Sequence, residues 1–231
     1  MAEIASGVLQ AIELIVTLNP EVVEITVRSL TISLSAVILA SLYCIPLGGL
    51  IEFRSFKGKG TLVNIIQTLY SLPTVTVGLL VFLLLSRSGP LGGLHLLFTP
   101  MGMVIGQMLL ITPIMIGLVY TAMGGVGQQI RDTARSLGAT EFQIIIAVIK
   151  EAKPAVLAAV LLGFGRALSE VGVAMMIGGN ISGYTRVLTT AIALQTSMGY
   201  IEFSIALGII LLSISLIINL ILNWAKGRWY G

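Results

Sequence analysis

The chain has 231 residues, 56% of them hydrophobic and 10% charged, with a formal net charge of +3. Soluble globular proteins carry about 25% charged residues, so this composition excludes a soluble enzyme core and specifies an all-α protein that crosses the membrane several times. Cys44 is the single cysteine and His95 the single histidine, which excludes an intramolecular disulfide and leaves no metal site to argue.

Residues 3–18 place Ile4, Val8, Ile12 and Ile15 on one helical face, with Gln10 and Glu13 elsewhere. This predicts an amphipathic helix on the membrane surface, with a first short membrane span as the competing reading. The stretch has no basic start and does not read as a secretory signal. Asn19-Pro20 ends it and opens the next helix, Asn as the cap and Pro at the first position. Five transmembrane helices are then predicted: Leu30–Leu50, Leu62–Leu85, Met101–Met123, Val156–Ile177 and Phe203–Trp224. Each has about the twenty residues a bilayer requires. The first three carry Pro46, Pro73 and Pro113, tolerated because neighbouring helices and hydroxyl groups re-satisfy the freed carbonyls. No separate soluble domain remains, so residues 1–231 are read as one transmembrane domain.

Charge orients the bundle. Arg54, Lys57 and Lys59, then Arg131, Arg135, Lys150 and Lys153, then Lys226 and Arg228 fall on one side, while the other holds Arg28, Arg87 and Arg186. By the positive-inside rule the N-terminus is outside and the C-terminus cytoplasmic.

Gly124–Pro154 is the longest polar interruption, and this orientation puts it in the cytoplasm. Ile130, Ala134 and Leu137 share one face of a helix over Gln128–Leu137. Gly138 sits where a left-handed residue terminates a helix. Thr140 followed by Gln143 is a capping-box pattern that starts a second helix. An ordinary solvated connection between two spans is the bland reading. A DNA-binding helix–turn–helix is disfavoured, since four cationic residues are balanced by three acids.

Asp132-Thr133-Ala134, three further residues and Gly138 resemble the EAA-xxx-G coupling loop of ABC importer permeases, and Ala139 and Val148 also fit. Asp132 and Thr133 stand for Glu and Ala, and Lys150-Glu151 replace the usual Leu-Pro. A second block, Arg166 to Gly172, then Gly179-Asn180-Ile181, then Thr185-Arg186-Val187-Leu188, resembles permeases for molybdate, tungstate and sulfate, nearest to the tungstate-type branch. The resemblance runs from about Leu30 to the C-terminal end. It implies a type I ABC importer fold and a homodimeric permease of the cell membrane. It also implies two cytoplasmic ABC ATPase subunits that use ATP and Mg, and an extracytoplasmic oxyanion-binding protein. Gln128, Arg131, Asp132, Thr133, Ala134, Arg135, Gly138, Ala139 and Glu141 are then the residues that couple to the ATPase. No G-x-x-x-x-G-K-[ST] occurs in the chain, so the nucleotide is expected on another polypeptide and no cofactor is expected on this one.

Within the spans, Arg166 and Glu170 stand four residues apart and can pair; they line the pathway, close its gate, or fix helix packing. Thr74 and Thr76 follow Pro73 and offer hydroxyls either to a passing oxyanion or to the backbone near the proline. Asn180 belongs to a Gly178-Gly179-Asn180 turn that presents amides to an anion or simply leaves the membrane. Residues 187–194 are read as an outer surface helix that meets the binding protein. A secondary transporter or channel would keep conserving acids in the membrane, where Glu170 is thin support. An intramembrane enzyme would need a catalytic constellation, and none is present.

Overall fold

The computed structural model describes the backbone of residues 2–126 and 128–227, and side chains over 5–126 and 130–220. In chain order the helices are α1 (Ala2–Val16), α2 (Pro20–Phe53), α3 (Lys59–Thr68), α4 (Thr74–Leu85), α5 (Pro100–Gly124), α6 (Gln128–Ser136), α7 (Glu141–Leu168), α8 (Gly172–Gly178), α9 (Leu188–Ser197) and α10 (Ile201–Gly227). No strand occurs among the described residues. Asn19 caps α2 by accepting from the amides of Glu21 and Val22 at 3.1 and 3.3 Å, with Pro20 at the first helical position.

α5 is the axis of the bundle and packs against α2, α3, α4, α7 and α8. Met103, Ile111, Met115 and Val119 run fully buried along it, and Ile111 and Met115 join Val37, Ala40 and Cys44 of α2 to Phe164 and Ala167 of α7. Ser29 shows how a buried polar group inside the bundle finds partners, as most must. Ser29 Oγ donates to the Ile25 carbonyl at 2.7 Å and accepts from the Leu188 amide at 2.8 Å.

Among the described residues three helices, α2, α5 and α10, are long and apolar enough to cross a membrane, and the α3–α4 pair adds a fourth if its two limbs form one span. Two of the five spans of the sequence reading are not continuous helices. Leu62–Leu85 is not one rod: α3 and α4 meet at 98°. Leu72 and Pro73 are both extended there, because a proline ring disfavours the helical region for the residue before it. Val156–Ile177 is also broken. α7 ends at Leu168, and α8 begins at Gly172. Pro46, by contrast, lies inside a continuous α2.

Of the two shorter elements, α1 keeps its apolar face outward and α9 packs differently from the sequence expectation. α1 lies along α10, but Val8, Ile12 and Ile15 point outward, each at least 40% exposed, while Ala11 and Leu14 are buried. The reason is close approach: a Cβ at Gly7 would lie 2.6 Å from Ile205 Cγ2, so the small-residue side of α1 meets α10. Residues 187–194 do not form a free surface helix. The first turn of α9, Leu188 to Ala191, is buried, and Leu188 packs with Val22, Ile25, Ala206 and Leu207.

Candidate coupling site

The Gly124–Pro154 stretch folds into α6, a glycine turn and the start of α7. Gly138 has φ +80°. Its amide donates to the Arg135 carbonyl at 2.9 Å, and the Ala139 amide donates to the Ala134 carbonyl at 3.0 Å. These two bonds make a complete Schellman motif, which satisfies carbonyls that the end of α6 would otherwise leave unpaired. Two residues later, Thr140 Oγ1 accepts from the Gln143 amide at 3.4 Å, and Gln143 Oε1 accepts from the Thr140 amide at 2.8 Å. That capping box starts α7. Across the turn, Arg135 Nη2 stands 3.1 Å from Glu141 Oε1, in an exposed pair.

The sides of α6 differ. Ile130, Ala134 and Ala139 pack against the core formed by α5 and α7. Asp132, Thr133 and Arg135 face outward, whereas Arg131 is half-buried. Arg131 Nη2 lies 2.9 Å from Glu52 Oε1 at the end of α2, and its guanidinium stacks 5.7 Å from the Phe53 ring centroid. Gln128 opens α6, and its side chain lies outside the described residues. Leu137, on the same face as Ile130 and Ala134, is 83% exposed, and Phe142 beyond the turn is 70% exposed. Ile130, Thr133, Ala134 and Leu137 border a shallow groove of about 360 Å³. A capped polar helix with exposed apolar side chains at its end is suited to seating on another protein. Glu52 and Phe142 escaped the sequence reading, which placed Leu137 on a helix face without a role at the site. The available signal for Glu52 was an acid among Arg54, Lys57 and Lys59.

The second block lies elsewhere, around the α7–α8 break. Arg166 Nη1 stands 2.9 Å from Glu170 Oε2, but the pair is not carried by one helix, since Glu170 falls in the break. Glu170 is 2% exposed. Its Oε1 accepts from the Val173 amide at 2.9 Å, and its backbone carbonyl accepts from Thr189 Oγ1 at 2.9 Å. One carboxylate thus holds the end of α7, the first turn of α8 and, through its own backbone, α9. Thr74 opens α4 beside Gly172: a Cβ there would lie 2.8 Å from Thr74 Oγ1. Thr76 is exposed, and among the described residues neither hydroxyl has a hydrogen-bond partner. Pro73 precedes α4, so it leaves no carbonyl inside that helix for the hydroxyls to repair. Asn180 is left-handed at φ +52°. Its Nδ2 donates to the Thr190 carbonyl at 3.4 Å, while its buried Oδ1 has no partner. The coupling stretch and the Arg166–Glu170–Asn180 region are thus separate sites on one bundle, and no group of three or more potential metal-ligating His, Cys, Asp or Glu residues occurs among the described residues.

Among the described residues the chain is all-helical, and it exposes a doubly capped helix–turn–helix between two of its long helices, the architecture of a membrane transport component. The chain belongs to the family of binding-protein-dependent transport system inner membrane components, whose model matches residues 44–229. It is 42% identical over 222 residues to the tungstate uptake system permease protein of Peptoclostridium acidaminophilum, covering 96% of this chain and 97% of that one. It is also 42% identical over 202 residues to a probable anion ABC transporter permease protein of Haloferax volcanii, covering 85% and 87% respectively. Among solved structures, the inward-facing MetNI methionine ABC transporter superposes with a TM-score of 0.71, covering 87% of this chain and 93% of that one. The identity there is 16%, so that likeness carries the fold.

Proposed function

We propose that this chain is the permease subunit of an ABC importer that carries an oxyanion, tungstate, into the cytoplasm. The observation that carries the reading is the 42% identity to a tungstate uptake permease over nearly the whole of both chains. Two copies would form the pathway between them, two ATPase subunits would seat on the α6–α7 turns, and an external binding protein would deliver the anion. ATP and Mg belong to the ATPase. Closure of the ATPases draws the α6 helices together, and the attached helices switch access from one side to the other. The cation-rich side, with Arg54, Lys57, Arg135 and Lys150, faces the cytoplasm under the positive-inside rule, which leaves the N-terminus outside and the C-terminus inside.

Asp132, Thr133, Arg135, Leu137, Glu141 and Phe142 offer the surface for the ATPase. Gly138 sets the angle at which α6 is presented. Arg166 and Glu170 are the gate candidates, since their pair closes the α7–α8 break. Thr74, Thr76 and Asn180 are the further pathway candidates, because each holds a polar atom without a partner near the break or its outer turn. Tungsten accumulation in cells making this chain with its ATPase and binding protein tests the reading. Accumulation from tungstate should persist in excess sulfate and molybdate and vanish without the permease. Equal competition by sulfate would replace tungstate with a general dianion as the cargo.

A further inference from the structure

Glu52 occupies a place that helix physics disfavours. It lies in the last turn of α2, one residue before Phe53, where the negative end of the helix dipole opposes a carboxylate. Its side chain is nonetheless only 14% exposed, held between two cations from other elements. Arg131 of α6 stands 2.9 Å from Oε1 and Lys59, the first residue of α3, 3.7 Å from Oε2. Lys59 Nζ also donates to the Glu52 carbonyl at 2.9 Å, and it lies 5.4 Å from the ring centroid of Tyr120 on α5. Gly124, the last residue of α5, leaves room for the carboxylate: a Cβ there would sit 3.4 Å from Oε2. Four helices therefore meet at one acid.

The way α6 packs gives that meeting its meaning. Among the described residues, α7 is the element against which α6 packs extensively. A displacement of α6 passes to α7 through Ile130 and Ala134 directly. The direct tie of α6 to α2 is made by Arg131, which pairs with Glu52 and stacks on the Phe53 ring, and Lys59 carries the Glu52 link on to α3. We propose that Glu52 is the relay through which movement of α6 reaches α2 and, by way of Lys59, the bent α3–α4 pair. Glu52 acts by position and touches no substrate. The proposal rests on the importer reading above and deepens it: that reading names the surface that receives the ATPase, and this one names how the motion leaves it.

The test uses the complete complex of permease, ATPase and binding protein in proteoliposomes, with tungstate as the probe. Glu52→Gln, Arg131→Gln and the double variant are compared for assembly, for ATP hydrolysis stimulated by loaded binding protein, and for tungstate taken up per ATP hydrolysed. In each single variant the complex should assemble and hydrolyse ATP, while tungstate per ATP should fall roughly tenfold, the scale of coupling between linked sites. The double variant should fall no further, because both changes cut one connection. An unchanged ratio overturns the relay, and so does a double loss that multiplies the single ones. So does a loss of assembly with the ratio intact, which would make Glu52 a packing residue alone. If Glu52→Gln does not insert, Arg131→Gln decides by the same ratio. Absence of any ATP-dependent uptake by the unaltered complex refutes the importer reading itself, and the relay falls with it.

Discussion

A Cβ at Gly138 would meet no atom within 4 Å, yet the residue has φ +80°. Space is free, and the constraint is the backbone alone. An L side chain in that region costs about 1–2 kcal/mol, and a β-branched one resists it most. Gly138→Val should therefore insert normally but lose tungstate uptake per ATP hydrolysed, whereas Gly138→Asn, which tolerates the left-handed region, should keep most of it. Equal ratios in the two variants would contradict the backbone argument. Glu170 poses a different problem, because its carboxylate serves two partners. Arg166→Ala leaves the buried Glu170 charge with one of them gone; Arg166 is a third exposed, so the loss falls below the ~3–5 kcal/mol of a fully buried pair and is read as a fall in thermal midpoint. Adding Glu170→Gln should recover part of that midpoint, since the amide oxygen can still accept from Val173 and the orphaned charge is removed. A double variant less stable than Arg166→Ala would contradict this division of roles.

At the scale of elements, what the sequence made legible was what neighbours in the chain decide. Asn19-Pro20, Gly138 and Thr140 with Gln143 each specify a boundary by local hydrogen bonding, and the structure places caps at all three. The misread elements depend on distant residues. Apolar character continues through Leu72-Pro73, and at Ser169–Val171 the apolar runs on either side are parted only by Ser169 and Glu170, so hydropathy averaged over a span runs each pair of helices together. The signals for the breaks were the proline and a carboxylate able to cap α8. α1 keeps the apolar outward face of an amphipathic helix. Its large side chains define the strongest helical face, but contact with α10 is made by its small ones. Gly7→Leu should separate α1 from α10 and lower the thermal midpoint, while Ile12→Ala, on the outward face, should change it little. The reverse order would contradict this docking of α1 on α10. α9 looked like a surface helix because its burial is supplied by α2 and α10. In the site, Gly138, Arg135 and Glu141 were legible from local pattern, whereas Glu52 reaches Arg131 across 79 positions, a relation no short motif records.

At the scale of the whole molecule, the bundle has a charge asymmetry and one exposed helix–turn–helix, and both bear on direction. With Cys44→Ala as background, Lys57→Cys and Arg135→Cys should react with an impermeant thiol reagent only from the cytoplasm, and Leu91→Cys only from outside. The opposite pattern would invert the orientation and strand α6 away from any ATPase. Specificity belongs at this scale too. A pathway must hold its cargo weakly enough to release it, so anion choice is expected in the binding protein, and uptake should follow a binding protein of altered preference that keeps its docking surface. The most direct measurement is tungstate uptake into proteoliposomes holding the permease and its ATPase, with loaded binding protein outside and ATP confined to one compartment. Uptake is predicted when ATP lies on the side that exposes residues 124–154, and none when ATP lies only on the other. Uptake without ATP or without the ATPase would contradict the account.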